Sequence, residues 1–73
     1  MKHTVAAELV GNVAQVAVVV GDEVEATTTL VLLESMKMEI PVLAEVPGVI
    51  VEVAVNAGDV VTEGDTIAVI ETT

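Results

Sequence analysis

Residues 11–35, GNVAQVAVVVGDEVEATTTLVLLES, laid over residues 48–72, GVIVEVAVNAGDVVTEGDTIAVIET, match at nine of 25 positions. The identities are Gly11/Gly48, Val16/Val53, Ala17/Ala54, Val18/Val55, Gly21/Gly58, Asp22/Asp59, Val24/Val61, Thr29/Thr66 and Glu34/Glu71. Apolar character also recurs at Val13/Ile50 and across Leu30–Leu33 against Ile67–Ile70. Two copies of one strand-turn-strand unit are the simplest account of this self-similarity. Each copy supplies a long strand, a short extended piece near Val24 or Val61, and a second long strand. Two such units facing each other predict an all-β, flattened sandwich or barrel.

The residue types agree with that reading. Eighteen Val, four Ile and eight Thr make 30 of the 73 residues β-branched, which suits a pleated, half-buried backbone rather than a helix. Val49, Val51, Val53 and Val55 alternate with other residues, and Leu30-Val31-Leu32-Leu33 is a short continuous apolar run of the kind found in buried strands. Gly11, Gly21-Asp22, Pro47-Gly48, Gly58-Asp59 and Gly64-Asp65 punctuate the strands as turn signals. The change of apolar spacing from Val13 to Val16 and then Val18 predicts a bulge or bend. With no aromatic residue, the interior must be filled by short branched aliphatics, which suits two closely packed sheets.

At 73 residues the chain reads as one domain, 1–73, too small to bury a large core. It has no cysteine, so neither disulfides nor thiol chemistry assist it, and a reducing, cytoplasmic setting fits. The net charge of -10, with two Lys and no Arg, excludes nucleic acid as a partner. Phosphate neutralisation needs a basic patch, and stacking on unpaired bases needs aromatic rings. Anionic membrane surfaces are disfavoured on the same ground. The start, Met1-Lys2-His3 followed by apolar residues up to Val16–Val20, loosely imitates a secretory signal. Glu8, Asn12 and Gln15 interrupt it, however, and no apolar run approaches the about 18 residues of a membrane span.

Residues 36–47 join the two copies, and the counterpart of Lys37 would be residue 74, one beyond the last. A pseudo-twofold relation then puts the joining hairpin at one end of the domain and the chain termini at the other. The joining segment reads Glu34-Ser35-Met36-Lys37-Met38-Glu39-Ile40-Pro41, and Lys37 is the only lysine outside the Met1-Lys2 start. Alternation in a strand would let Met36 and Met38 fill core gaps while Lys37 points to water. At a two-residue turn neither neighbour lies deep in a sandwich, so at least one thioether is expected outside, as at recognition surfaces. A lysine held on such a tip offers a primary amine that another enzyme can acylate. Ser35 is the only serine, and His3 is expected to be a solvated terminal residue, so no nucleophile-base pair is expected. Glu34 and Glu39 are expected to form a solvated rim.

Glu34-Ser35-Met36-Lys37-Met38, flanked by the Gly-x-Val-x-x-Val-x-Val pattern of Gly11–Val18, by Gly21-Asp22 and by Gly48–Asp59, resembles the biotinyl/lipoyl attachment domains, and among them the short, freestanding biotin carboxyl carrier proteins. The resemblance covers essentially the whole chain. It implies a barrel-sandwich hybrid of two pseudo-twofold-related four-stranded halves, with the modified lysine on a hairpin tip. It implies further that Lys37 receives biotin by an amide on its side-chain nitrogen from a biotin protein ligase. Glu34, Ser35, Met36 and Met38 would be the ligase's recognition residues. The tether of lysine and valeryl chain would measure on the order of 10 Å or more. The ring would be carboxylated by a biotin carboxylase and relieved of its carboxyl group by a carboxyltransferase, within a carboxylase acting on an acyl-CoA. The domain would catalyse neither step and would hold no metal.

Two features qualify the resemblance. Thr27 stands where relatives often have Gly, as Gly64 does in the second copy, which puts the first copy's turn in doubt. The joining segment also leaves no room for a protruding thumb, and the chain is expected to be of the short, freestanding kind, without a Pro/Ala-rich linker or an attached enzyme domain. The nearest rival reading is a lipoyl-carrier domain, but lipoyl domains usually flank the lysine with Asp and Ala, so Met36 and Met38 favour biotin over lipoate. An unmodified acidic β module binding a basic protein is the alternative from another class.

Overall fold

The computed structural model describes residues 1–72; Thr73, the last residue of the expected domain, lies outside the described residues. The described chain is all β: β1 (Lys2–Ala6), β2 (Gly11–Val16), β3 (Glu23–Val24), β4 (Thr29–Ser35), β5 (Met38–Leu43), β6 (Gly48–Val53), β7 (Val60–Val61) and β8 (Thr66–Glu71). They form two antiparallel four-stranded sheets, ordered β1-β8-β6-β3 and β5-β4-β2-β7. The body is elongated, 36 × 18 × 17 Å.

The pairings extend the repeat. β1 on β8 answers β5 on β4, β2 on β4 answers β6 on β8, and β2 on β7 answers β6 on β3. Residues 2–10 therefore correspond to 39–47, with Val5/Val42, Ala7/Ala44 and Glu8/Glu45 identical. The halves are β1–β4 and β5–β8, and each sheet takes two strands from each half. They interleave because the chain crosses between sheets after β2. The Ala17 N–H donates to the Leu30 carbonyl in one sheet, and the Gly21 N–H donates to the Ile50 carbonyl in the other, each at 2.8 Å. The crossing turn is closed by Asp22 N–H on the Val19 carbonyl at 3.1 Å and by Val19 N–H on Asp22 Oδ2 at 2.9 Å. Gly21, at φ 100°, supplies the left-handed residue that such a turn requires.

The expected bulge is present, and it occurs twice. Val13 faces Leu33 while Gln15 faces Leu32, and in the second copy Ile50 faces Ile70 while Glu52 faces Val69. The second bulge breaks the apparent alternation of residues 49–55. Ile50 is fully buried, whereas Val49 and Val51 are 37% and 39% exposed. Leu30, Leu33, Ile50, Ile67 and Ile70 fill the interior, each worth about 1.5–3 kcal/mol of burial. Gly11 and Gly48, read above as turn signals, instead open strands β2 and β6.

One further expectation changes. His3 is not a solvated terminal residue: it lies in β1, opposite Ile70, half-buried, and its Nε2 is buried with no hydrogen-bond partner. It takes the place that Ile40 holds in the other half, and a buried polar atom without a partner is destabilising. His3→Ile is expected to stabilise the domain by about 1 kcal/mol, read as a higher urea midpoint at unchanged slope; an unchanged or lower midpoint would show that the ring nitrogen carries no penalty.

The doubt about Thr27 is met by a reshaped turn. Thr28 N–H still donates to the Glu25 carbonyl at 3.0 Å, and Thr28 Oγ1 accepts the Glu25 N–H at 2.9 Å. Residue 27 is not left-handed, unlike Gly64 at φ 94°, and the positive φ falls on Glu45 at 71°, whose N–H donates to the Ala26 carbonyl. A β-branched residue is a poor occupant of the left-handed region.

Candidate functional site

β4 and β5 are joined by the two residues Met36 and Lys37, with Ser35 paired to Met38 and Glu34 to Glu39. A two-residue hairpin loop that follows the twist of its strands needs positive φ at both positions. Met36 and Lys37 accordingly stand at φ 51° and 66°. For residues with a Cβ this costs on the order of 1–2 kcal/mol each, so the loop holds Met and Lys where Asn-Gly would be easier. Backbone held in this region persists only where the surrounding structure enforces it, and such positions cluster at functional sites. The signal for it was already in the sequence, as a two-residue gap between strands containing neither Gly nor Asn.

Both thioethers lie outside: Met36 is 92% exposed and Met38 63%. They fill no core gap. Lys37, Glu34 and Glu39 are exposed and Ser35 is half-buried. Among the described residues the only ion pair is at the far end, where the Met1 ammonium lies 2.9 Å from Glu71 Oε2. That contact, first by hydrogen bonding and then by charge, holds the Glu71 carboxyl below its ordinary range. Lys37 thus projects its amine into solvent from a convex apex. The groove between β1 and β5, lined by residues such as Val5, Ala7, Leu33 and Val42, runs along the body and does not include it.

The two ends of the domain are equivalent under the repeat. At the far end Thr72 N–H donates to the Met1 carbonyl at 2.7 Å, matching the Ser35–Met38 pair at the hairpin. Gly11 lies against Glu34 and Ser35 near the hairpin, and its counterpart Gly48 lies against Ile70 and Glu71 near the termini. The hairpin tip and the termini therefore occupy opposite ends. No other serine, cysteine or histidine stands beside Lys37 in sequence, and what the apex presents is an acylable amine between two flexible apolar side chains.

Comparison with known proteins agrees with the geometry. The chain is 58% identical over 43 residues to the "Biotinylated protein TB7.3 homolog" of Mycolicibacterium smegmatis, an alignment covering 59% of this chain and 61% of that relative. The chain thus matches about three fifths of the relative's length. A single-chain, multi-domain long-chain acyl-CoA carboxylase superposes with a TM-score of 0.91 at 36% identity, covering 99% of this chain and 7% of that one. The lipoyl domain of the 2-oxoglutarate dehydrogenase complex from Azotobacter vinelandii superposes at 0.74 with 28% identity, covering 93% and 96%. Residues 1–70 match the model of the biotin/lipoyl family described as "Biotin-requiring enzyme", and the chain belongs to that family.

Proposed function

We propose that the chain, residues 1–73 as one domain, is a biotin carboxyl carrier in which Lys37 bears biotin as an amide. The observation that carries this reading is the exposed Lys37 amine on a strained two-residue apex between two exposed methionines. A covalently attached group fits there, because the side chain has open solvent ahead of it. In the ligase, Lys37 Nζ attacks the acyl carbon of biotinyl-adenylate; the N–C bond forms, the C–O bond to AMP breaks, and the nitrogen gives up a proton. Met36 and Met38 offer the ligase apolar contacts, while Glu34 and Ser35 define the approach on β4. Once attached, biotin supplies a ureido nitrogen able to accept and release a carboxyl group. The chain's part is to keep the root of the tether fixed while its end moves between a biotin carboxylase and a carboxyltransferase, at an effective concentration set by the tether.

The domain itself is a carrier rather than an enzyme. In this reading it serves a cytoplasmic carboxylase that acts on an acyl-CoA. Likeness to a biotinylated protein and to part of a long-chain acyl-CoA carboxylase supports the carrier role and the acyl-CoA substrate, and the absence of cysteine fits the cytoplasm. Co-expression with a biotin protein ligase is expected to give one biotinyl group per chain by intact mass, located on Lys37 by peptide mapping. An unmodified chain, or a lipoyl increment in its place, would overturn the assignment.

The methionines provide a second test. Met36→Asp with Met38→Ala, the lipoyl-type flanks, is expected to slow biotinylation on the order of tenfold by removing apolar contacts at the recognition centre. Stability should change little, since both side chains lie outside. An unchanged rate would show that the ligase does not read them.

A further inference from the structure

The repeat provides an internal control for what the fold requires at each surface position. The Val19–Asp22 and Asn56–Asp59 turns are built alike. Their closing hydrogen bonds are both 3.1 Å, the aspartate caps are 2.9 and 2.8 Å, and the glycines stand at φ 100° and 97°. Gly21 N–H donates to Ile50, and Gly58 N–H donates to its counterpart Val13, both at 2.8 Å. The second copy makes this turn with Asn56 and Ala57. Nothing in the backbone therefore calls for Val19 and Val20, yet these valines are 65% and 60% exposed.

They also do not stand alone. A recess of about 300 Å³ is lined by Val16, Val18, Val19 and Val20 together with their exact counterparts in the other copy, residues 53, 55, 56 and 57. The recess therefore lies on the pseudo-twofold axis, midway between the Lys37 end and the terminal end. Single exposed valines are ordinary, whereas here two adjacent ones adjoin a recess lined mostly by apolar residues. Asp22 and Asp59 cap the two turns whose other residues line it, each accepting a backbone N–H on Oδ2, and they put two carboxylates beside the recess without lining it. A second copy would bring another chain of net charge -10 against the first, so self-association is opposed by charge.

We infer that the Val19–Val20 turn and its recess form a flank docking surface for a protein partner that presents an apolar side chain ringed by Lys or Arg. The inference deepens the carrier reading and rests on it in taking that partner to be a carboxylase subunit. Held by its flank at mid-length, the domain leaves the Lys37 apex free to reach an active site. Because contact at the flank is separate from contact at the apex, docking and biotinylation are separable by mutation.

The test uses the biotinylated full chain with the purified biotin carboxylase and carboxyltransferase subunits of the same cell, each assayed alone. Val19→Asn with Val20→Ala transplants residues that the equivalent turn already accommodates. It should raise the KM for the carrier about tenfold with at least one subunit, with kcat and the rate of biotinylation unchanged. Asp22→Asn with Asp59→Asn keeps the turn-capping acceptors, and should raise KM about threefold and flatten its dependence on salt. Unchanged KM values with both subunits would overturn the docking surface while leaving the carrier intact. A wild-type chain that dimerises in sedimentation through Val19 and Val20 would assign the surface to a second copy and overturn the inference. Biotinylated wild type that serves as substrate for neither subunit would overturn the carrier reading itself, and the inference with it.

Discussion

Lys37→Arg is expected to abolish biotin incorporation, lowering it at least about a hundredfold, while leaving the fold in place. The substitution keeps the positive charge and most of the reach of the side chain, and it asks nothing new of the left-handed backbone at φ 66°. What it removes is the nucleophile, because a delocalised guanidinium stays protonated and does not form the amide. Lys37 is exposed and, among the described residues, its side chain makes no hydrogen bond or ion pair, so stability should stay within about 0.5 kcal/mol of wild type. Streptavidin blotting and thermal unfolding of the same preparations read both quantities. Lys2→Arg is the control: Lys2 is exposed at the start of β1, and its loss should leave incorporation unchanged. Biotin remaining on the Lys37→Arg chain would move the attachment site elsewhere.

Gly48→Ala is expected to be the most destabilising of the five Gly→Ala changes, by about 3 kcal/mol or more. A Cβ at residue 48 would overlap the Glu71 carbonyl oxygen and stand 2.7 Å from Ile70 Cγ2 and 3.1 Å from the Glu71 carbonyl carbon. The oxygen belongs to the backbone of β8, which the β6–β8 ladder holds in register, and Ile70 is fully buried. Neither can yield without opening the sheet. Gly11, the equivalent residue, is less constrained, with the Glu34 oxygen at 2.9 Å and side-chain atoms at 3.5 Å. Gly11→Ala should therefore cost less, about 1–2 kcal/mol. Urea denaturation of the two variants gives the order directly, and a Gly48→Ala chain as stable as wild type would refute the steric account. A domain of this size has little stability in reserve, so Gly48→Ala should also lower the yield of biotinylated protein, although residue 48 lies at the end opposite Lys37.

These two predictions separate kinds of residue that look alike on paper. All five glycines read as punctuation. Gly21, Gly58 and Gly64 do supply positive φ in open space, whereas Gly11 and Gly48 sit in strands because a neighbouring backbone passes too close for a Cβ. Conformational demand leaves a local trace, such as the Gly-Asp pairs that close the turns. Close approach leaves none, because the opposing atoms belong to residues more than twenty positions away.

The same division runs through the strands and the site. Repetition at a shift of 37 residues, β-branched composition and the Val13-Val16-Val18 spacing were enough to reach two related all-β halves with a bulge. They were also enough to single out Lys37 at the join, because apolar periodicity and turn chemistry are local properties of the chain. Tertiary structure decided that the halves interleave rather than stack, and that a second bulge buries Ile50 and turns Val49 and Val51 outward. It also placed His3 half-buried beside β8 and lifted both methionines clear of the core. Each of these depends on which distant strand lies alongside. Register across a sheet is set by contacts between residues far apart in the chain, and no short window of sequence contains both partners.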